Sequence, residues 1–286
     1  MIETRSKNRK TITMSELGDR ASEIDDLYKA EGIKLHPQSG LTELINGALE
    51  LASSSNKTGQ VAEGDILLGL HLERVHKALM LLRGHAKRQH YLRKLCTGDL
   101  RFMNRTPSPA RNSLFELEVW RSLNELRAGA AELDEPDVML RLPSMNVGVA
   151  CKKIYSKANF SKTVSNAVKQ IRANCPGLGI VAFSIEDLFP EGEGVGADTF
   201  DGAADFLSGQ CHNFLAEHQD MFIKYFKGSD IVGALAVAST IVDIRIEKPR
   251  YSNMQQWLLW SAPELNENAQ NAVSHLRKLI GQVKSA

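Results

Sequence analysis

Between Phe115 and Gln170 the hydrophobic period of the chain changes from helical to alternating and back again, and this limits what the segment can fold into. The run FELEVWRSLNEL opens at Phe115. Leu114, Leu117, Trp120 or Arg121, and Asn124 follow one helical stripe, and Leu123 and Leu126 widen its apolar face. Gly129 closes the helix. Pro136-Asp137 then leads into the β-prone run 138–142, a turn follows at Pro143–Asn146, and 147–154 is a second β-prone run. The spacing predicts that 137–142 and 147–154 pair as a β-hairpin under the 114–128 helix. A basic, helix-like stretch carries the chain on to Gln170.

Side chains alternate across a strand, so Ala150 and Lys152 share one face and Cys151 and Lys153 the other. A turn at Pro143–Asn146 brings Asp137 near Lys152, with Ala150 directed the same way. Glu116 and Glu118 are two residues apart on the helix and cannot face the hairpin together. The reading places Glu116 toward it and Glu118 in solvent. A carboxylate beside a lysine on adjacent strands, with a helix glutamate nearby, can hold a divalent ion or orient a water against a phosphodiester.

The order helix-Glu, Pro-Asp, strand with a terminal Lys resembles the PD-(D/E)xK nuclease superfamily, over about residues 112–190. The resemblance implies an α/β fold with a restriction-endonuclease-like core: a helix, a three-stranded β-meander, a second helix and a further strand. It implies that Glu116 is the first-helix acid, Asp137 the metal-binding aspartate, Lys152 the active-site lysine, and Gln170 the second-helix glutamine found in several branches. The acid usually found two residues before the lysine is replaced here by Ala150. Glu116 would stand in for it, and the Cys151 carbonyl would add an oxygen. The cofactor implied is Mg²⁺ or Mn²⁺.

Charge supports a nucleic-acid partner. Seven Lys and Arg lie between Val138 and Ile185 with no Asp or Glu, although the whole chain has a net charge of only +1. A one-sign block suits a phosphate backbone. Lys153, Lys157, Lys162, Lys169 and Arg172 form one candidate surface, and Arg83, Lys87 and Arg88 begin a second in the run RGHAKRQHYLRK. Aromatic residues make up 6% and rarely alternate with basic ones, which gives no support for a single-strand stacking platform. His71, His76, His85 and His90 lack the spacing of a metal site, and the four cysteines form no CxxC pair. Scattered reduced thiols point to the cytoplasm. No apolar run approaches the roughly 20 residues that span a bilayer.

The 286 residues divide on this reading into a flexible basic arm at 1–12, a helical domain at 13–96, a linker at 97–112 and a nuclease-like α/β domain at 113–286. Helices are expected over 14–30 with Ser15 as cap, over 41–51, over 61–95 with a break near Gly84, over 203–226 with Phe206 inward, and over 264–283. Strands are expected at 178–184, 231–246 and 254–260, with a loop at 190–202. Three functional readings follow: a metal-dependent nuclease acting on DNA, possible as a homodimer; a nuclease-fold module that binds nucleic acid or a protein without cutting; and a helical interaction protein.

Overall fold

The computed structural model describes residues 3–5, 13–54, 62–101, 104, 106–127, 129–143, 145–189 and 195–281. Glu3–Arg5 forms β1. Four helices follow: α1 (Met14–Ala30), α2 (Gly40–Ser54), α3 (Glu63–Met80) and α4 (Arg88–Leu95). Next come α5 (Pro109–Leu126), β2 (Ala131–Glu132), β3 (Val138–Arg141), β4 (Asn146–Lys153), α6 (Phe160–Asn174) and β5 (Leu178–Ser184). The remainder is β6 (Val195–Ala197), α7 (Phe200–Glu217), α8 (Gln219–Phe226), β7 (Ile231–Ile244), β8 (Tyr251–Ser261) and α9 (Glu267–Gly281).

One mixed sheet in the order β1-β8-β7-β5-β4-β3-β2 organises the molecule, with β6 joined to β7. The hairpin forms as its spacing predicts: β3 and β4 are antiparallel, with Val138 opposite Val149 and Arg141 opposite Asn146. β2 extends the meander, and after α6 the chain returns as β5, parallel to β4. Strand alternation splits the core into two layers. Val147, Val149 and Cys151 join an apolar cluster with residues of α1–α5 and α9 on one face. Ala150 joins Phe160, Val164, Ala167 and Phe183 in the cluster beneath α6–α8 on the other.

Several local expectations change. Thr13, not Ser15, caps α1: its hydroxyl accepts from the Glu16 amide while Glu16 accepts from the Thr13 amide, a reciprocal capping box. Within the 1–12 segment, Glu3–Arg5 pairs with β8, and residues 6–12 lie outside the described residues. Pro109 to Asn112 begin α5, and Leu100 and Ala110 are buried, so the 97–112 stretch contributes to the core instead of separating two cores. The 61–95 stretch does divide, around Gly84, whose positive φ suits glycine. The 203–226 run breaks at His218 into α7 and α8, and Phe206 faces outward. Within the 190–202 stretch, Val195–Ala197 pairs with β7 and Phe200 starts α7; residues 190–194 are outside the described residues. No described helix is long and apolar enough to cross a membrane.

Candidate active site

Asp137 immediately precedes β3, and β3 pairs with β4 only as far as Val149. The following residues of β4 therefore expose backbone groups on that edge. Asp137 takes up the first of them: its Oδ2 accepts the Cys151 amide at 2.8 Å. The Cys151 carbonyl projects from the same edge, where Lys152 Nζ donates to it at 3.1 Å. Gly148 permits this approach. A Cβ there would stand 2.8 Å from Pro136 Cδ and 2.7 Å from Cys175 Sγ, so any side chain would push the Pro136-Asp137 corner away from β4.

α6 closes the other side. Gln170 accepts from Lys152 Nζ at 2.5 Å and donates to Asp137 Oδ1 at 2.9 Å and to the Pro136 carbonyl. Lys152 Nζ is 3.5 Å from Asp137 Oδ2. One amide thus fixes the lysine and the carboxylate together, as a planar donor–acceptor group can.

Glu116 approaches from α5. Burial, followed by the nearby Asp137 charge, raises its carboxyl to about 7, although Lys94, a hydrogen bond from Tyr91 and the Lys152 charge pull in the opposite direction. Lys94 Nζ is 3.7 Å from Glu116 Oε2. A helix acid, a pre-strand aspartate, a strand lysine and a glutamine from the next helix therefore share one neighbourhood. Burial pushes the Cys151 thiol well up, with the Asp137 and Glu116 charges adding to the rise. Its carbonyl, not its sulfur, is the group a cation could use.

Ala150 shares a face with Lys152, as alternation requires, but its side chain is fully enclosed in the apolar layer beneath α6. It does not open toward Asp137. Ala150→Glu is accordingly expected to destabilise the fold by several kcal/mol, since it buries a carboxylate among Val164, Ala167 and Phe183. Thermal melting checks this. Recovery of the melting temperature by Mg²⁺ would instead put position 150 at a metal site.

Two predicted placements are overturned. Glu118 is buried, not solvated: Arg74 of α3 grips both its oxygens at 2.8 and 3.1 Å. Lys153 is not on a nucleic-acid surface. Only 3% of its side chain is exposed, and its ammonium lies 2.5 Å from Glu186 and 2.8 Å from Asp187. Arg74 also reaches Glu186 at 3.0 Å, and Arg111 bonds Asp187. Three cations and three carboxylates thus form a buried network joining α3, α5, β4 and the turn after β5. Burial favours the neutral form of Glu186, but Lys153, Arg74 and Arg111 hold its carboxyl far below the usual range.

The remaining basic residues are distributed unevenly. Lys162, Lys169 and Arg172 lie exposed on α6. Lys157 is exposed and paired with Glu217 at 2.7 Å. Around α4, Arg83 pairs with Glu23, Lys87 with Asp134 and Arg88 with Glu31, so carboxylates balance that predicted surface. Lys87 and Lys94 nonetheless bring α4 alongside the site, through Asp134 and Glu116.

The oxygen donors here are Glu116, Asp137 and the Cys151 carbonyl, a set suited to a hard cation. Among the described residues there is no group of three or more His, Cys, Asp or Glu side chains that could hold a metal. Two carboxylates and a carbonyl fit Mg²⁺ better than a cation needing a full protein cage, because Mg²⁺ usually keeps several waters. No family model, curated protein or solved structure matches the chain.

Proposed function

We propose that the protein is a Mg²⁺- or Mn²⁺-dependent nuclease of the PD-(D/E)xK kind, acting on DNA. The observation that carries this reading is that Asp137, Lys152 and Gln170 bond to one another at the end of β4 left unpaired by β3, with Glu116 of α5 near enough to feel the charges of Asp137 and Lys152. The succession α5-β2-β3-β4-α6-β5, with an antiparallel meander and a parallel final strand, supports it, because this is the element order that family would require.

Asp137, Glu116 and the Cys151 carbonyl would hold the cation, which would supply Lewis-acid chemistry at the phosphoryl centre. Lys152 would orient the attacking water or stabilise charge developing on the phosphate, as a preorganised cation near the reacting atoms does. Gln170 holds Lys152 and Asp137 in register so that neither must reorganise. Glu116 takes the place of an acid at position 150, from the opposite layer of the fold. The exposed cations of α6, Lys162, Lys169 and Arg172, would follow the backbone beyond the site, with affinity that falls as salt rises.

Incubation of supercoiled and linear duplex DNA with the protein in Mg²⁺, Mn²⁺ or EDTA tests the reading. Divalent-dependent scission is expected. Salt-sensitive binding without scission in any metal would leave the second reading, a non-cutting nucleic-acid module. The enclosed Ala150 is the observation that favours that alternative.

A further inference from the structure

Lys94 lies outside the α5–β5 succession, on α4, yet it reaches into the site. Its ammonium is 3.7 Å from Glu116 Oε2 and 5.3 Å from the Tyr91 ring centroid, and 40% of the side chain remains open to solvent. Tyr91, one turn earlier, is buried, which raises its phenol, and it lies beside the same carboxylate, whose charge raises it further. Glu116 thus faces an ammonium on α4, while Asp137 is held from α6 by Gln170 and from β4 by the Cys151 amide.

Each carboxylate has one ammonium near it, Lys152 at 3.5 Å from Asp137 and Lys94 at 3.7 Å from Glu116, but Asp137 is also fixed by two neutral donors, Gln170 and the Cys151 amide. Lys94 is a full positive charge on the very carboxylate that a divalent ion would need. Two cations on one carboxylate repel each other. Lys94 and a divalent ion therefore compete for Glu116. Lys94 also has somewhere to go: its stem is flexible, its head borders solvent, and a phosphodiester at Asp137 and Lys152 would present anionic oxygens within the same opening.

We propose that Lys94 is a second lysine of the site, exchanging Glu116 for the phosphate of a bound nucleic acid when Glu116 is given to a divalent cation. The proposal rests on the nuclease reading and adds a residue from the helical layer to it. It predicts opposite effects of one substitution on two ligands, which a lysine with a purely structural role would not give. Lys94→Met removes the competitor for the cation and also removes a phosphate contact.

The experiment uses the full chain and measures binding, not turnover. Mn²⁺ affinity is read by calorimetric titration at pH 9, so that protonation of Glu116 does not contribute. Duplex DNA affinity is read in Ca²⁺ across a salt series. Lys94→Met is expected to bind Mn²⁺ about three- to tenfold more tightly and DNA about three- to tenfold more weakly, with the log–log salt slope reduced by about one. Lys94→Arg should retain DNA affinity. Because Lys94 is partly exposed, both variants should melt close to the wild type. Wild-type Mn²⁺ binding with no tightening in Lys94→Met, or unchanged DNA affinity, overturns this role for Lys94 alone. A wild-type protein that binds no divalent ion overturns the nuclease reading and the Lys94 role together.

Discussion

Asp137→Asn should lower metal-dependent DNA cleavage by about three orders of magnitude or more while leaving the fold intact. The substitution is isosteric. The asparagine oxygen can still accept the Cys151 amide, while its NH2 would face the Gln170 NH2 that Asp137 Oδ1 accepts from, so the corner before β3 keeps one of these two hydrogen bonds. Also lost is the negative charge that would bind the cation and face Lys152, 3.5 Å away. A cation at a phosphoryl centre contributes several kcal/mol to the transition state, and every 1.4 kcal/mol or so is a factor of ten. Single-turnover cleavage beside a thermal melt checks this. Full activity in Asp137→Asn would remove Asp137 from the chemistry. A large fall in melting temperature would mean instead that the carboxylate serves the fold.

Glu186→Ala should have the largest effect on stability, about 3–5 kcal/mol. The carboxylate sits between Lys153 at 2.5 Å and Arg74 at 3.0 Å, both almost wholly buried. Removing one partner from a buried ionic group leaves charge that neither water nor protein compensates. Truncation would leave Lys153 with Asp187, and Arg74 with Glu118, inside a network left with one excess positive charge. Denaturant unfolding measures the cost, and a loss below about 1 kcal/mol would show that the network relaxes or admits water. The pH dependence has a definite sign. Glu186 is held below its ordinary 4.5, so its contribution is present above that pH and disappears as pH falls toward the depressed value. The wild type should therefore lose stability in acid more steeply than Glu186→Ala.

The legible parts of the fold were those fixed by local pattern. The 114–128 periodicity, the Pro143–Asn146 turn and the alternation in 147–154 led to α5, β3 and β4 with their pairing. The same alternation correctly separated Ala150 from Cys151, because a strand leaves each residue only two directions. Contacts that depend on distant partners were not legible. Glu118 is buried because Arg74 of α3 lies against it, and nothing near either residue in sequence announces the other. Lys153 belongs to Glu186 and Asp187, more than thirty residues later, where a parallel return brings the end of β5 beside the end of β4. The block of seven cations from 138 to 185 accordingly looked more uniform in sequence than it is in space. Its acids stand just past its end, and they take Lys153 inside. Lys94 carried a signal, its basic neighbourhood, but only the packing of α4 against α5 shows that it meets Glu116.

The most direct test is a titration of the wild-type protein with Mn²⁺ at pH 8 and at pH 6, beside Asp137→Asn. Glu116, raised to about 7, is mostly ionised at the first pH and mostly protonated at the second. A carboxyl held above its unfolded value favours the protonated fold, so a cation that needs Glu116 must displace a proton at pH 6 and not at pH 8. The predicted result is one Mn²⁺ per chain at pH 8, about tenfold weaker binding at pH 6, and no saturable binding in Asp137→Asn. Equal binding at both pH values, or saturable binding in Asp137→Asn matching the wild type, would contradict a metal centre at Glu116 and Asp137.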